Sequence, residues 1–118
     1  MKIYIAFLLF GLIINSSCAQ TINASQAKDN VGKSVTVCDQ VFSVIHAANV
    51  NREPTFLDYG AKYPNMIFAV VVWGDDLSKF SYSLKTLEGK NICVTGTITL
   101  YKGRPEIIIH DPGQIKLK

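Results

Sequence analysis

The chain has 118 residues, with 12 Lys and Arg against 9 Asp and Glu and a net charge of +3. That excess is too small to mark a polyanion-binding protein by charge alone. The length accommodates one compact domain and excludes two, and no internal repeat, low-complexity run or Pro/Ser-rich linker divides it.

The opening segment "MKIYIAFLLFGLIINSSCAQ" has the pattern of an export signal. Lys2 is the only charge before Gln20, an apolar stretch runs from Ile3 to Ile14, and small residues follow at Ser16, Ser17 and Ala19. Ser17 and Ala19 stand where a signal peptidase takes small side chains, so residues 1–19 are expected to be a cleaved signal peptide. As a membrane anchor the stretch is short: 12 residues at about 1.5 Å each cover roughly 18 Å of a ~30 Å bilayer core. Cys18 opens a variant, lipidation as in a bacterial lipoprotein, although Asn15 stands where the lipidation motif usually has Leu. Residues 20–118 then form the domain, periplasmic or secreted. Without Lys2, 11 basic residues remain against 9 acidic, a net charge of +2.

Next, "SQAKDNVG" predicts one or two helical turns, with Ser25 as N-cap and Gly32 closing them. "KSVTVCDQVFSVIH" alternates and places Val35 and Val37 on one face, a long first strand. "AANVNREP" is a loop, "TFLDYG" a short strand and "AKYPNM" a turn. "IFAVVVWG" is a strand apolar on both faces. In "DDLSKFSYSLKTLEGK" the period changes: Leu77, Phe80, Leu84 and Leu87 recur at spacings of three and four, the stripe of a helix. Asp75 or Asp76 is expected to cap it and Gly89 to end it. Strands return with "NICVTGTITLY" and "PEIIIH", joined by a "KGR" turn.

Strand, strand, strand, helix, strand, strand is the order of an OB-fold. The expected class is all-β, a five-stranded Greek-key barrel with one helix between strands three and four plugging an end. Gly96, inside the fourth strand, suits a barrel corner or bulge. An unrelated small β-roll or sandwich with a helical excursion is the alternative.

Three pieces carry a resemblance: "VTVCDQV", "FLDYGAKYPN" and "VTGTITLYKGRPEIIIHDPGQI". Through them the chain resembles, over about residues 31 to 116, the OB-fold nucleic-acid-binding group that includes anticodon-binding-like domains, in particular its small exported bacterial members. The last piece is the most specific. Asp39 departs from the pattern, which usually has Gly there. The resemblance implies single-stranded nucleic acid as the ligand class. OB barrels also bind oligosaccharides, and similar small barrels serve as protein adaptors. A periplasmic protein- or oligosaccharide-binding module therefore stays open as the second reading.

OB barrels hold ligands across strands two and three, between the loop joining strands one and two and the loop joining four and five. The first loop carries Arg52, the second Lys102 and Arg104. Alternation on strand two turns Leu57 and Tyr59 inward and Phe56 and Asp58 outward, with Asp58 expected to face water. An exposed Phe56 could stack a base or sugar ring; if the strand bends enough to break alternation, Phe56 belongs to the core. Trp73 is a further ligand candidate whose facing "FAVVVW" does not fix. Tyr63, Tyr82 and Tyr101 are candidates for the rim. His46 has no second His or Cys at metal-ligand spacing, and His110 beside Asp111 reads more simply as a strand-end turn. No phosphate loop or nucleophile elbow occurs. No catalytic residue, metal or cofactor is expected.

Cys38 on strand one and Cys93 on strand four are both out of step with the inward valines and isoleucines. In an OB barrel those strands are antiparallel neighbours, so both sulfurs would lie on the outer face. An oxidising compartment then favours a Cys38–Cys93 disulfide. A one-residue register shift would instead leave two separate thiols.

Overall fold

A computed structural model describes residues 19–118. The expected leader, Cys18 included, lies outside these residues except for Ala19.

The alternating run after Lys33 forms the longest strand, β2 (Ser34–His46), and a short β1 (Gln20–Ile22) precedes it. β3 (Thr55–Tyr59), β4 (Phe68–Val72), a single-turn helix α1 (Gly74–Leu77), β5 (Asn91–Tyr101), β6 (Arg104–Ile108) and β7 (Ile115–Leu117) follow. The sheet runs β2–β3–β4–β6–β5 and closes through β2–β5, with β4 and β6 parallel and the other barrel pairs antiparallel. This is the five-stranded OB barrel, with β2 to β6 as its strands one to five. β1 and β7 extend the sheet along the outer edges of β2 and β5.

Closure requires two strands to serve two partners each. β2 pairs β5 over Ser34–Gln40 and β3 from Val41 to His46, with an irregularity between Val41 and Ser43 where it bends. The bend therefore falls beyond Asp39. The Asp39 carboxylate serves backbone donors on either side of it, accepting from the N–H of Ala24 at 3.0 Å and of Gln40 at 2.8 Å. β5 changes partner from β2 to β6 after Thr97. At Gly96 a Cβ would come within 2.5 Å of Ile107 Cγ2, and the register runs through it unbroken, so it marks a barrel corner and not a bulge.

Inward side chains alternate as the sequence implies: Val35, Val37, Leu57, Tyr59, Ile98 and Ile107 are buried. Tyr59 and Phe68 pack at 5.2 Å between ring centroids. Each such side chain contributes roughly 1.5–3 kcal/mol through burial.

The stretch between β4 and β5 departs from expectation. A single helix across it does not form. Instead α1 ends at Leu77, bends follow, and a 3-10 turn spans Leu84–Leu87. Asp75 and Asp76 lie in the first turn of α1, after Trp73 at the cap position, and no side chain caps it. Serines at 78, 81 and 83, weak helix formers beside Phe80 and Tyr82, work against propagation. The apolar stripe still reaches the interior: Phe80, Leu84 and Leu87 join the core, with Leu77 packed against it. Gly89, at φ +81°, follows the 3-10 turn and donates to Val41 O at 2.8 Å. The N-terminal turn is also 3-10, Ala24–Asp29, and its cap is Asn23 rather than Ser25. Asn23 and Gln26 form a reciprocal capping box, because Gln26 stands three residues on.

Cys38 and Cys93 are direct partners in the β2–β5 ladder and form a disulfide, with Cα atoms 4.0 Å apart. Register and side-chain parity together bring the two sulfurs to one face.

Candidate ligand-binding face

Register on the outer surface builds the site. Asp58 on β3 pairs with Ala69 on β4, and Ala69 pairs with Glu106 on β6. Because neighbouring strands lie about 4.8 Å apart, the two acids flank Ala69 at roughly 10 Å from backbone to backbone. A methyl group between two longer side chains leaves a hollow. The resulting pocket encloses about 230 Å³ and is lined mainly by apolar atoms. Phe56, further along β3, forms part of its wall, with Tyr63 and Met66 from the β3–β4 loop and Tyr101 and Arg104 from the β5–β6 hairpin.

The hairpin holds Arg104 in place. Lys102 and Gly103 both have positive φ, +50° and +77°, the two-residue turn that suits the twist of paired strands. Tyr101 and Arg104 are thus direct partners. The Arg104 guanidinium reaches back over the Tyr63 ring at 5.6 Å and donates through Nη1 to Met66 Sδ and, at 3.4 Å, to Pro64 O. Pro64 follows a cis peptide bond from Tyr63.

Asp58 corrects the sequence expectation. Its side chain points outward, as alternation requires, yet it is only 1% exposed. The pocket walls cover it, and neither carboxyl oxygen has a hydrogen-bond partner within the described residues. Burial raises its pKa from 3.8 to about 6, partly opposed by the Arg104 charge. Burial also pushes the Glu106 carboxyl up, again opposed by Arg104. A carboxylate accepts and never donates. The pocket wall therefore buries unused acceptors in apolar surroundings, which is costly while they lack a donor.

Of the sequence candidates, Phe56, Asp58 and Arg104 meet in this pocket. Phe56 is half-buried, neither core nor fully exposed. Arg52 and Trp73 form a second group: the guanidinium lies 4.4 Å from the centre of the half-buried indole, and Arg52 O accepts from Gly74 N–H at 2.8 Å. Lys102 sits at the hairpin tip, 5.4 Å from the Tyr101 ring. Tyr63 and Tyr101 are at the pocket rim, whereas Tyr82 packs edge-on against Phe80 elsewhere. Glu106 and Ala69 are the residues that sequence reasoning missed. Alternation in "RPEIII" between inward Pro105 and Ile107 could have exposed Glu106; Ala69 gains its meaning only from register.

The histidines take local partners. His46 Nδ1 lies 2.9 Å from Thr55 Oγ1, and His110 Nδ1 2.9 Å from Asp76. Hydrogen bonds from Lys79 and then His110 lower the Asp76 pKa. Asp111 instead caps the turn Pro112–Gln114, accepting from Gly113 N–H at 2.8 Å.

No protein family matches the chain, and no curated protein matches it. Among solved structures, a chain assigned as an aspartyl-tRNA synthetase from Leishmania major Friedlin is similar in fold, with a TM-score of 0.52 over 91% of this chain at 10% identity. The likeness takes in 22% of that longer chain. At this identity it shows the shared barrel.

Proposed function

We propose that this chain is an exported, non-enzymatic OB-fold module that binds single-stranded nucleic acid across the outer face of β3 and β4. The observation carrying the reading is the pocket itself. It lies on the strand-two and strand-three face between the two ligand-side loops, with Phe56, Tyr63 and Tyr101 available for stacking. The barrel shared with a chain assigned as a tRNA synthetase supports the ligand class. The leader pattern and the Cys38–Cys93 bridge support an oxidising compartment. A second reading, oligosaccharide binding, draws on Asp58 and Glu106, whose free acceptors also suit sugar hydroxyls beside an aromatic wall.

Titration with oligo-dT and with oligosaccharides, read by calorimetry and Trp73 fluorescence at two salt concentrations, decides between them. Nucleic-acid binding weakens as salt rises because counterions are released; sugar binding barely responds. Phe56→Ala is expected to weaken oligo-dT binding by about 1–3 kcal/mol. Lys102→Ala should flatten the salt dependence by about one phosphate contact. An oligosaccharide that binds while oligo-dT does not, even at low salt, would establish the second reading.

A further inference from the structure

The pocket holds an unusual combination: a carboxylate almost wholly removed from water, both oxygens without partners, and a guanidinium in the same wall. Resting on the nucleic-acid reading, we propose that this pocket is a guanine-selective base site, in which the two oxygens of Asp58 accept from N1–H and the exocyclic N2–H₂ of one unstacked guanine.

The chemistry of the base edges leads there. Guanine presents two parallel donors and, beside them, the O6 acceptor. A carboxylate offers two acceptors at matching spacing, and only guanine meets it with two donors. Adenine and cytosine each place a ring-nitrogen acceptor beside their amino group, which would face a second carboxylate oxygen. Thymine has one N–H between two carbonyls. Arg104 completes the match. Its guanidinium carries five N–H donors and has one nitrogen engaged, at Nη1, leaving donors for O6. The same guanidinium disfavours a cationic occupant, which would meet a positive charge already in the wall. Single-stranded bases are commonly read on their Watson–Crick edge while stacked on aromatic rings. Phe56, Tyr63 and Tyr101 supply such rings at the rim.

The groups facing Asp58 around the pocket are Arg104 and Glu106 from β6, Tyr101 from β5 and Tyr63 from the β3–β4 loop. Both carboxyls gain a donor on protonation, and at Asp58 this turns the acceptor pair that would meet the guanine into a donor and an acceptor. Guanine preference should therefore weaken as pH falls through about 6.

The test uses nine-residue thymidine oligonucleotides with a single central dG, dA, dC or dT, measured by fluorescence anisotropy at pH 8 and pH 5. At pH 8 the dG oligonucleotide is expected to bind about 5- to 150-fold more tightly than the others, the range of one good bidentate base contact. Asp58→Asn should bring the four affinities close together, chiefly by weakening the dG oligonucleotide. The loss of preference at pH 5 gives the same answer in the unaltered protein, whether or not the variant folds. Equal affinities at pH 8, or a dG preference that survives in Asp58→Asn, would overturn the guanine site while leaving nucleic-acid binding intact. Failure of all four to bind at low salt would overturn both.

Discussion

Two outer faces of the same barrel are built on opposite terms. On the β2–β5 seam the polar and sulfur side chains find partners: Cys38 bridges Cys93, and two residues away Thr36 and Thr95 share a 2.8 Å hydrogen bond. On the β3–β4–β6 face, Asp58 is buried with both oxygens unpaired and Glu106 stands desolvated across Ala69. A small barrel has little stability to spare. The contrast teaches that one face secures the fold while the other leaves buried acceptors unpaired, at a cost the seam helps to offset.

Breaking the seam should have the largest effect. Cys38→Ser with Cys93→Ser opens a cross-link 55 residues long, worth about 4 kcal/mol by the chain-entropy estimate. Denaturant melts of the oxidised protein and the double variant measure it; equal midpoints would mean the bridge adds nothing to the fold.

Neutralising the opposite face should act in the other direction. The folded pKa of Asp58 is raised from 3.8 to about 6, so the native state holds this proton more tightly than the unfolded chain. Stability is thus lost as pH rises through that window, and the full penalty persists above it. Asp58→Asn is expected to stabilise the protein by on the order of 2–3 kcal/mol at pH 8. The gain should shrink toward zero below about pH 4. Melting curves at the two pH values check the sign, and a variant less stable at pH 8 would show that the carboxylate has partners.

Smaller effects sharpen the picture of the seam. Gly96→Ala forces a methyl group toward Ile107 Cγ2 and should cost on the order of 1–2 kcal/mol by overpacking. Pairing it with Ile107→Ala, which removes Cγ2, should cost less than the sum of the two single changes, and a double-mutant cycle gives the coupling. Thr36→Val removes one cross-strand hydrogen bond near the surface and should cost less than about 1 kcal/mol.

Strand order was legible from the sequence because the barrel strands other than β4, which is apolar on both faces, pair locally recognisable alternation with a turn signal, as Lys102-Gly103 does between Tyr101 and Arg104. The cysteine pair was legible for the same reason: once the strand order is known, parity places both on one face. The spacing of Leu77, Phe80, Leu84 and Leu87 was misleading. A bent segment that touches the core every three or four residues leaves the same stripe as a helix. Asp58 shows a different limit. Alternation gives its direction correctly, but it is buried in a pocket wall that also draws on the β3–β4 loop and Arg104, joined by contacts from Arg104 to Met66 and Pro64 that span 38 and 40 residues of sequence. Trp73 acquires a place only when Arg52 of the β2–β3 loop covers it.

Both ends of the described chain leave from the seam. β1 runs beside β2 at Val35–Val37, and β7 beside β5 at Ile92–Val94, while β4, the middle of the pocket face, sits across the closed ring from that junction. A tether or sensor surface joined at either end therefore grips the molecule by its back. The pocket over Ala69 of β4 then lies across the ring from that support.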